Sequence, residues 1–149
     1  MGIAERIGEQ IGEAMRRRNA PRLAALRNMR AALLHEMKKD GSASLDDEAA
    51  TVVLRRLEKQ RGESIEAFQG AGRADRAAAE EAERAVIREF LPSLADEDTT
   101  LAWVEAAIAD TSAQGPGDLG RVMGAVMKAH RGEVDGALAR RLAARCLGA

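Results

Sequence analysis

The chain has 149 residues, of which 46% are hydrophobic and only 2% aromatic, so it can form one or two small domains with cores built mainly from alanine and leucine. Charged residues make up 32% and nearly cancel to a net charge of −1, which argues against a strongly basic protein dedicated to nucleic-acid binding. Strand-forming residues are scarce and tyrosine is absent, so the composition predicts an all-α protein.

Apolar periodicity and capping residues predict four helices in the first part of the chain, at about residues 3–17, 20–39, from just after Ser44 to 68 or 69, and 75–90. Asn19 is expected to cap the second helix and Gly41 to end it. Ser44 and Asp47 form a partial capping box before the third helix, where Gly62 allows a bend. Pro92 stops the fourth helix, and the acidic connector after it marks a candidate domain boundary.

Three further helices are predicted after this boundary, at about residues 96–111, 118–129 and 136–147. A Gly-Pro-Gly loop separates the first two, and Asp135 is expected to cap the third. The predicted architecture is an N-terminal four-helix domain, residues 1–92, followed by a C-terminal three-helix bundle, residues 96–149.

Targeting signals are scarce in this sequence. No apolar run reaches the roughly 18 residues of a membrane-spanning helix, and the N-terminus lacks the apolar segment of a signal peptide. Cys146 is the single cysteine, which excludes an intrachain disulfide and favours a reducing compartment. Only four of the 23 basic residues are lysine, a bias typical of GC-rich bacterial genomes. We therefore expect a cytoplasmic protein with no membrane partner.

The sixth predicted helix has an unusual pair of glycines, Gly120 and Gly124, one turn apart. Each glycine in a helix costs roughly 1 kcal/mol relative to alanine, and the pair leaves a bare strip on one face. Such a strip most often allows close helix packing inside a bundle, with Met123 and Met127 filling gaps in the core. The alternative is that the backbone of a partner such as RNA approaches it.

Positive charge is distributed unevenly along the chain. Between residues 16 and 39 eight basic side chains accompany a single acid, Glu36, and further basic residues surround the glycine pair. Grouped cations can neutralise phosphates, but several of these residues also lie at helix C-termini, where they offset the helix dipole. Stacking rings are nearly absent, so any RNA contact is expected to read backbone and shape.

Several motifs follow one another in a characteristic order and cover nearly the whole chain. They are Leu26-Arg27, Lys59-Gln60-Arg61, Ser64–Phe68, the segment Ala71–Asp75 around Arg73, Glu80–Glu83, Phe90-Leu91-Pro92, Asp118–Lys128 with Met123 in a Met-Gly pair, and the turn Gly132–Gly136 with Asp135. In this order and spacing the chain resembles the GatB/YqeY family, and within it the stand-alone YqeY type.

The resemblance implies a helical N-terminal domain and a three-helix tail. In the related B subunit of the tRNA-dependent amidotransferase this tail approaches the tRNA, whereas phosphorylation and amide transfer take place in a large separate domain that has no counterpart here. Any resemblance to a carbon–nitrogen ligase that uses glutamine as amido donor thus rests on the shared tail alone. The resemblance implies an accessory role that binds tRNA or a tRNA-handling enzyme.

The residues themselves offer no catalytic constellation. His35-Glu36 begins like a zinc-protease helix, but Lys39 stands where the second histidine is needed. Cys146 lies close to the C-terminal end of the sequence, where a base and a water-excluding pocket are rarely available. We predict no catalytic residue, no metal and no cofactor.

The leading hypothesis is therefore a non-catalytic module that binds tRNA and not DNA. The candidate contact residues are Gly120, Arg121, Gly124, Lys128 and Arg131, with the three cations facing phosphates. The rival hypothesis is a protein-interaction adaptor that uses the long N-terminal helices and binds no RNA. Amidotransferase activity ranks third, because only the family resemblance points to it.

Overall fold

The computed structural model describes residues 1–148, which contain seven α-helices and no strand. The all-α prediction is confirmed, and each predicted helix is present with ends shifted by at most two residues. The helices are α1 Ile3–Arg16, α2 Ala20–Asp40, α3 Asp47–Gly70, α4 Ala74–Arg88, α5 Glu97–Thr111, α6 Leu119–Ala129 and α7 Gly136–Cys146. None of these helices is long and apolar enough to cross a membrane.

The helices pack in two compact units, of which the first is Met1–Pro92 and the second starts at Ser93. The first unit contains α1 to α4, and the second contains α5 to α7. That these units are independent domains with boundaries at residues 92 and 96 stays a prediction.

Large aliphatic side chains form the core of the first unit. Every helix of this unit contributes to it, and the side chains that are almost completely buried include Ile7, Leu26, Met29, Leu54 and Ile87. Burial of one such side chain contributes about 1.5 to 3 kcal/mol. The three isoleucines of α1 thus face this core.

The start of α3 differs from the predicted capping box. Asp46, and not Ser44, caps this helix by accepting the Ala49 N–H at 2.8 Å. Asp47 instead accepts the Ile3 N–H at 2.8 Å and so completes the first turn of α1. The sequence did not reveal this bond because its partners lie 44 positions apart.

The predicted cap and end of α2 are present. Asn19 accepts the Arg22 N–H at 3.2 Å and caps α2, and Gly41 ends α2 in the left-handed region at φ 69°. α3 continues through Gly62, and a Cβ atom at this glycine would lie 3.6 Å from a guanidinium nitrogen of Arg84. Gly62 therefore does not interrupt its own helix, and a Cβ atom there would make only an ordinary contact with Arg84.

The second unit has a smaller core, formed by valine, alanine and leucine side chains of α5, α6 and α7. Thr100 is fully buried and satisfied, because its hydroxyl donates to the Asp96 carbonyl at 2.7 Å. The Asp96 carboxylate caps α5 by accepting the Thr99 N–H at 2.8 Å, and the bonds from Thr99 hold the pKa of Asp96 below its ordinary value. α6 packs against this capped helix.

Candidate nucleic-acid interface

Asp118 organises the loop that leads into α6. Its carboxylate accepts the Gln114 N–H at 2.9 Å and a guanidinium hydrogen bond from Arg121 at 2.8 Å. The bond from Gln114 is the main cause, and Arg121 a further one, of a pKa of Asp118 below its ordinary value. Asp118 makes no capping bond to α6. Its carboxylate therefore joins the loop to the first turn of the helix.

α6 has one face in the core and one face in solvent. Val122 and Val126 are buried, while Gly120, Gly124 and Lys128 are exposed. A helix turns by about 100° per residue, so positions 120, 124 and 128 follow one another along the face opposite the two valines. We call this surface, together with the flanking Arg121 and Met127, the α6 outer face.

The glycine pair lies open on this face. A Cβ atom built at Gly120 or at Gly124 would meet no atom within 4 Å. The interpretation that the pair permits close packing inside the bundle is therefore wrong for the part of the chain that the structure describes. Met123 does pack partly buried against the core, but Met127 is 41% exposed and fills no gap there. Backbone and methylene groups at the two glycines are accessible to a partner.

Three cations surround the glycine strip, and they differ in whether they form an ion pair. Arg121 pairs with Asp118 at 2.8 Å and its side chain is 55% exposed, whereas Lys128 and Arg131 are exposed and form no ion pair with a residue in the range 1–148. An exposed ion pair contributes little to stability. Arg121 can therefore exchange Asp118 for a phosphate, and the other two cations need not leave a partner.

Two stacked rings hold the C-terminal end of α6. The rings of Trp103 and His130 lie 3.7 Å apart between centroids and are nearly parallel, at 6°. Gly132 follows in the left-handed region at φ 80°, and Asp135 caps α7 by accepting the N–H groups of Ala137 and Leu138. The turn and cap predicted there are present. The ring stack was not predicted, because nothing in the sequence pattern relates these two positions.

The remaining motif residues, Arg73 and Pro92, lie in the first unit. Arg73 directly precedes α4 without capping it, and its Nε lies 3.7 Å from the Asp75 carboxylate. The Pro92 carbonyl accepts a hydrogen bond from Arg55 at 2.7 Å. Both residues thus support helix ends and connections in their unit.

The structure also places the residues that were weighed for catalysis. His35 and Cys146 are both exposed on helices. Within residues 1–148 no three His, Cys, Asp or Glu side chains group in a way that could hold a metal ion. The α6 outer face is therefore the candidate site for binding, and its chemistry is that of an accessible backbone flanked by cations.

Comparison with known protein families agrees with the order of motifs. The family model described as Yqey-like protein matches residues 4–147, nearly the whole chain. The search of curated proteins found no match. The chain therefore belongs to the YqeY-like family.

Proposed function

We propose that this YqeY-like protein is a non-catalytic accessory module that binds tRNA through the α6 outer face. The observation that carries the proposal is the open strip at Gly120 and Gly124, since nothing in the described chain covers it. The strip costs roughly 2 kcal/mol of helix stability, because each glycine is about 1 kcal/mol less favourable than alanine. A contact made by the strip gives a functional reason for this cost.

The charges on the same face favour an RNA backbone as the ligand. Lys128 and Arg131 offer cations that have no ion-pair partner among residues 1–148, and Arg121 adds a guanidinium that can exchange its partner. Such groups bind phosphates and release counterions, which gives an affinity that falls as the salt concentration rises. The chain has one tryptophan, two phenylalanines and no tyrosine, so recognition by stacking on bases is unfavourable and recognition of a folded shape is favoured.

The first test replaces Arg121 and Lys128 together with glutamate and measures binding to bulk tRNA. Phosphate contact predicts at least a tenfold loss of affinity at about 0.1 M salt and a shallower salt dependence, because two contacts become repulsive. The matched control carries Arg140→Glu and Arg141→Glu, which reverse two exposed cations of α7 in the same unit. Unchanged affinity of the Arg121/Lys128 variant, or an equal loss in the control, contradicts the proposed site.

A duplex DNA of equal charge serves as the reference ligand at two salt concentrations. Saturable, salt-dependent binding that prefers tRNA agrees with the proposal. Equal weak binding to both nucleic acids contradicts it. Capture of a protein that tolerates high salt and persists after nuclease treatment would instead favour the adaptor hypothesis.

A further inference from the structure

Six of the eight basic residues between positions 16 and 39 fall into two classes. In the first class each arginine already has an acidic partner: Arg16 and Arg17 pair with Glu13, and Arg22 pairs with Glu89. Glu13 and Glu89 offset part of this positive charge within the unit. The net positive charge around this stretch is therefore smaller than the count of basic residues in the sequence indicates.

The second class lies on the solvent side of α2. Arg27, Arg30 and Lys38 are exposed, and none of them forms an ion pair or a side-chain hydrogen bond with a residue in the range 1–148. Their spacing along α2 puts them on one face, since positions 27 and 38 are separated by just over three helical turns and position 30 lies about 60° to one side of position 27. They span about 16 Å at the helical rise of 1.5 Å per residue. We call these three residues the α2 basic face.

Two acidic residues on or beside α2 are engaged with other partners. Glu36 lies on the opposite side of α2 and pairs with Arg56 at 3.3 Å. Glu83 accepts a hydrogen bond from Asn28 and pairs with Arg61. The α2 basic face therefore keeps its positive charge within the first unit, and an anionic partner can neutralise it.

The composition of the face distinguishes between two kinds of anionic partner. Protein interfaces are enriched in aromatic residues, methionine and arginine and depleted in lysine, and the face has two arginines and a lysine but neither an aromatic residue nor methionine. Leu34, which lies beside these residues on α2, is 44% exposed. Nucleic-acid backbones are instead held mainly by arginine and lysine at intervals along a surface. The face matches the second case better.

We propose that the α2 basic face is a second RNA-binding surface, which holds the sugar–phosphate backbone of a structured RNA through Arg27, Arg30 and Lys38. This inference rests on the proposed function in that RNA is the ligand, but it assigns binding to residues outside the α6 outer face. The surface contributes affinity and salt dependence and carries no sequence specificity, because it contacts phosphates and not base edges.

The test compares two triple variants of the full chain in titrations with bulk tRNA. The first carries Arg27→Gln, Arg30→Gln and Lys38→Gln. Glutamine forms helices about as well as arginine and lysine, so the helical content, followed by circular dichroism, is expected to persist. We expect about a tenfold loss of affinity at 0.1 M salt and a decrease of about 2 to 3 in the slope of log K against log salt, from 0.7 to 0.9 per lost phosphate contact.

The matched control carries Arg16→Gln, Arg17→Gln and Arg56→Gln, which remove the same charge from cations that already have acidic partners. We expect this control to bind tRNA within about threefold of the original chain, because few phosphate contacts are lost. Equal losses in both triple variants would show that only net charge matters, and this result would overturn the inference.

The Arg121/Lys128 variant, measured in the same titration, separates this inference from the proposed function. If that variant loses affinity and the α2 variant equals its control, the α2 surface is wrong and the α6 site stands. The reverse pattern leaves the α2 surface standing and removes the α6 site. A wild-type chain that binds no tRNA overturns both proposals. If the chain binds poly-L-glutamate as tightly as tRNA of equal charge, RNA is the wrong choice of partner for the α2 basic face.

Discussion

Asp46 and Asp47 are adjacent residues with the same side chain but different structural roles. Asp46 caps its own helix, α3, and Asp47 accepts the N–H of Ile3 at the start of α1. A carboxylate at a helix start satisfies a donor that has no partner within the helix. Asp47 therefore links two helices through one hydrogen bond, which local sequence rules do not reveal.

We predict that Asp47→Ala lowers the free energy of unfolding by about 1 kcal/mol, the usual cost of removing a helix-capping acceptor. The expected cause is loss of the bond to Ile3, because Asp46 still caps α3. Urea unfolding followed by circular dichroism measures the change. Asp47→Asn is the matched control, since its side-chain oxygen can still accept, and we expect it to lie close to the original chain. An alanine variant as stable as the asparagine variant contradicts this role.

Arg121 shows why a residue's charge cannot be judged from the sequence alone. The sequence presents it as one more cation beside the glycine pair, and the structure pairs it with Asp118 at an exposed position. Lys128 and Arg131 have no such partner in residues 1–148. The candidate site thus combines two available cations with one that must exchange its partner on binding.

At the scale of the element, α6 has one face that stabilises the fold and an opposite face whose glycines lower the stability of the helix. Its valines are buried in the core, while the opposite face has two open glycines where side chains would fit. Because a Cβ atom there meets nothing, sterics within the chain do not require glycine at either position. The strip is therefore open to a partner.

We predict that Gly120→Ala with Gly124→Ala raises the free energy of unfolding by roughly 2 kcal/mol, about 1 kcal/mol per glycine replaced in a helix. If RNA approaches the strip, the two methyl groups lower the affinity for tRNA at the same time. Chemical denaturation and tRNA titration of one preparation measure both effects.

Gly8 provides the control for this experiment. It is exposed in α1, and a Cβ atom at this position meets nothing within 4 Å. We expect Gly8→Ala to stabilise the chain in the same way, by about 1 kcal/mol, without a change in tRNA affinity. Gains in stability with unaltered binding in the Gly120/Gly124 variant speak against the strip as a contact surface.

At the scale of the whole molecule, the chain has two hydrophobic cores, one in each compact unit. The first core contains large residues such as Leu26, Met29 and Phe90, and the second relies on valine, alanine and leucine. Small domains bury a smaller fraction of their surface than large ones, so the second unit, with fewer than 60 residues, is expected to be the less stable.

We predict that residues 1–92 and residues 93–149, expressed separately, each form helical structure, and that the shorter fragment unfolds at the lower temperature. The physical reason is that each fragment keeps its own core complete. Circular dichroism during heating measures helical content and cooperativity. If a fragment is unfolded at 20 °C, it is not an independent domain.

The sequence by itself determined the helical class, the approximate position of every helix, the caps Asn19 and Asp135 and the glycine turns at residues 41 and 132. These features depend on interactions within about four residues along the chain, which composition and spacing express directly. The order of motifs also indicated the family that the match to residues 4–147 shows.

Only the tertiary structure decided which side chains meet. Arg22 pairs with Glu89 across 67 positions, and Trp103 stacks on His130. The structure also turned the glycine strip of α6 outward and left Arg27, Arg30 and Lys38 without partners in the described chain. Contacts of this range depend on how the helices pack, and a helical repeat shows which residues share a face but not what that face meets.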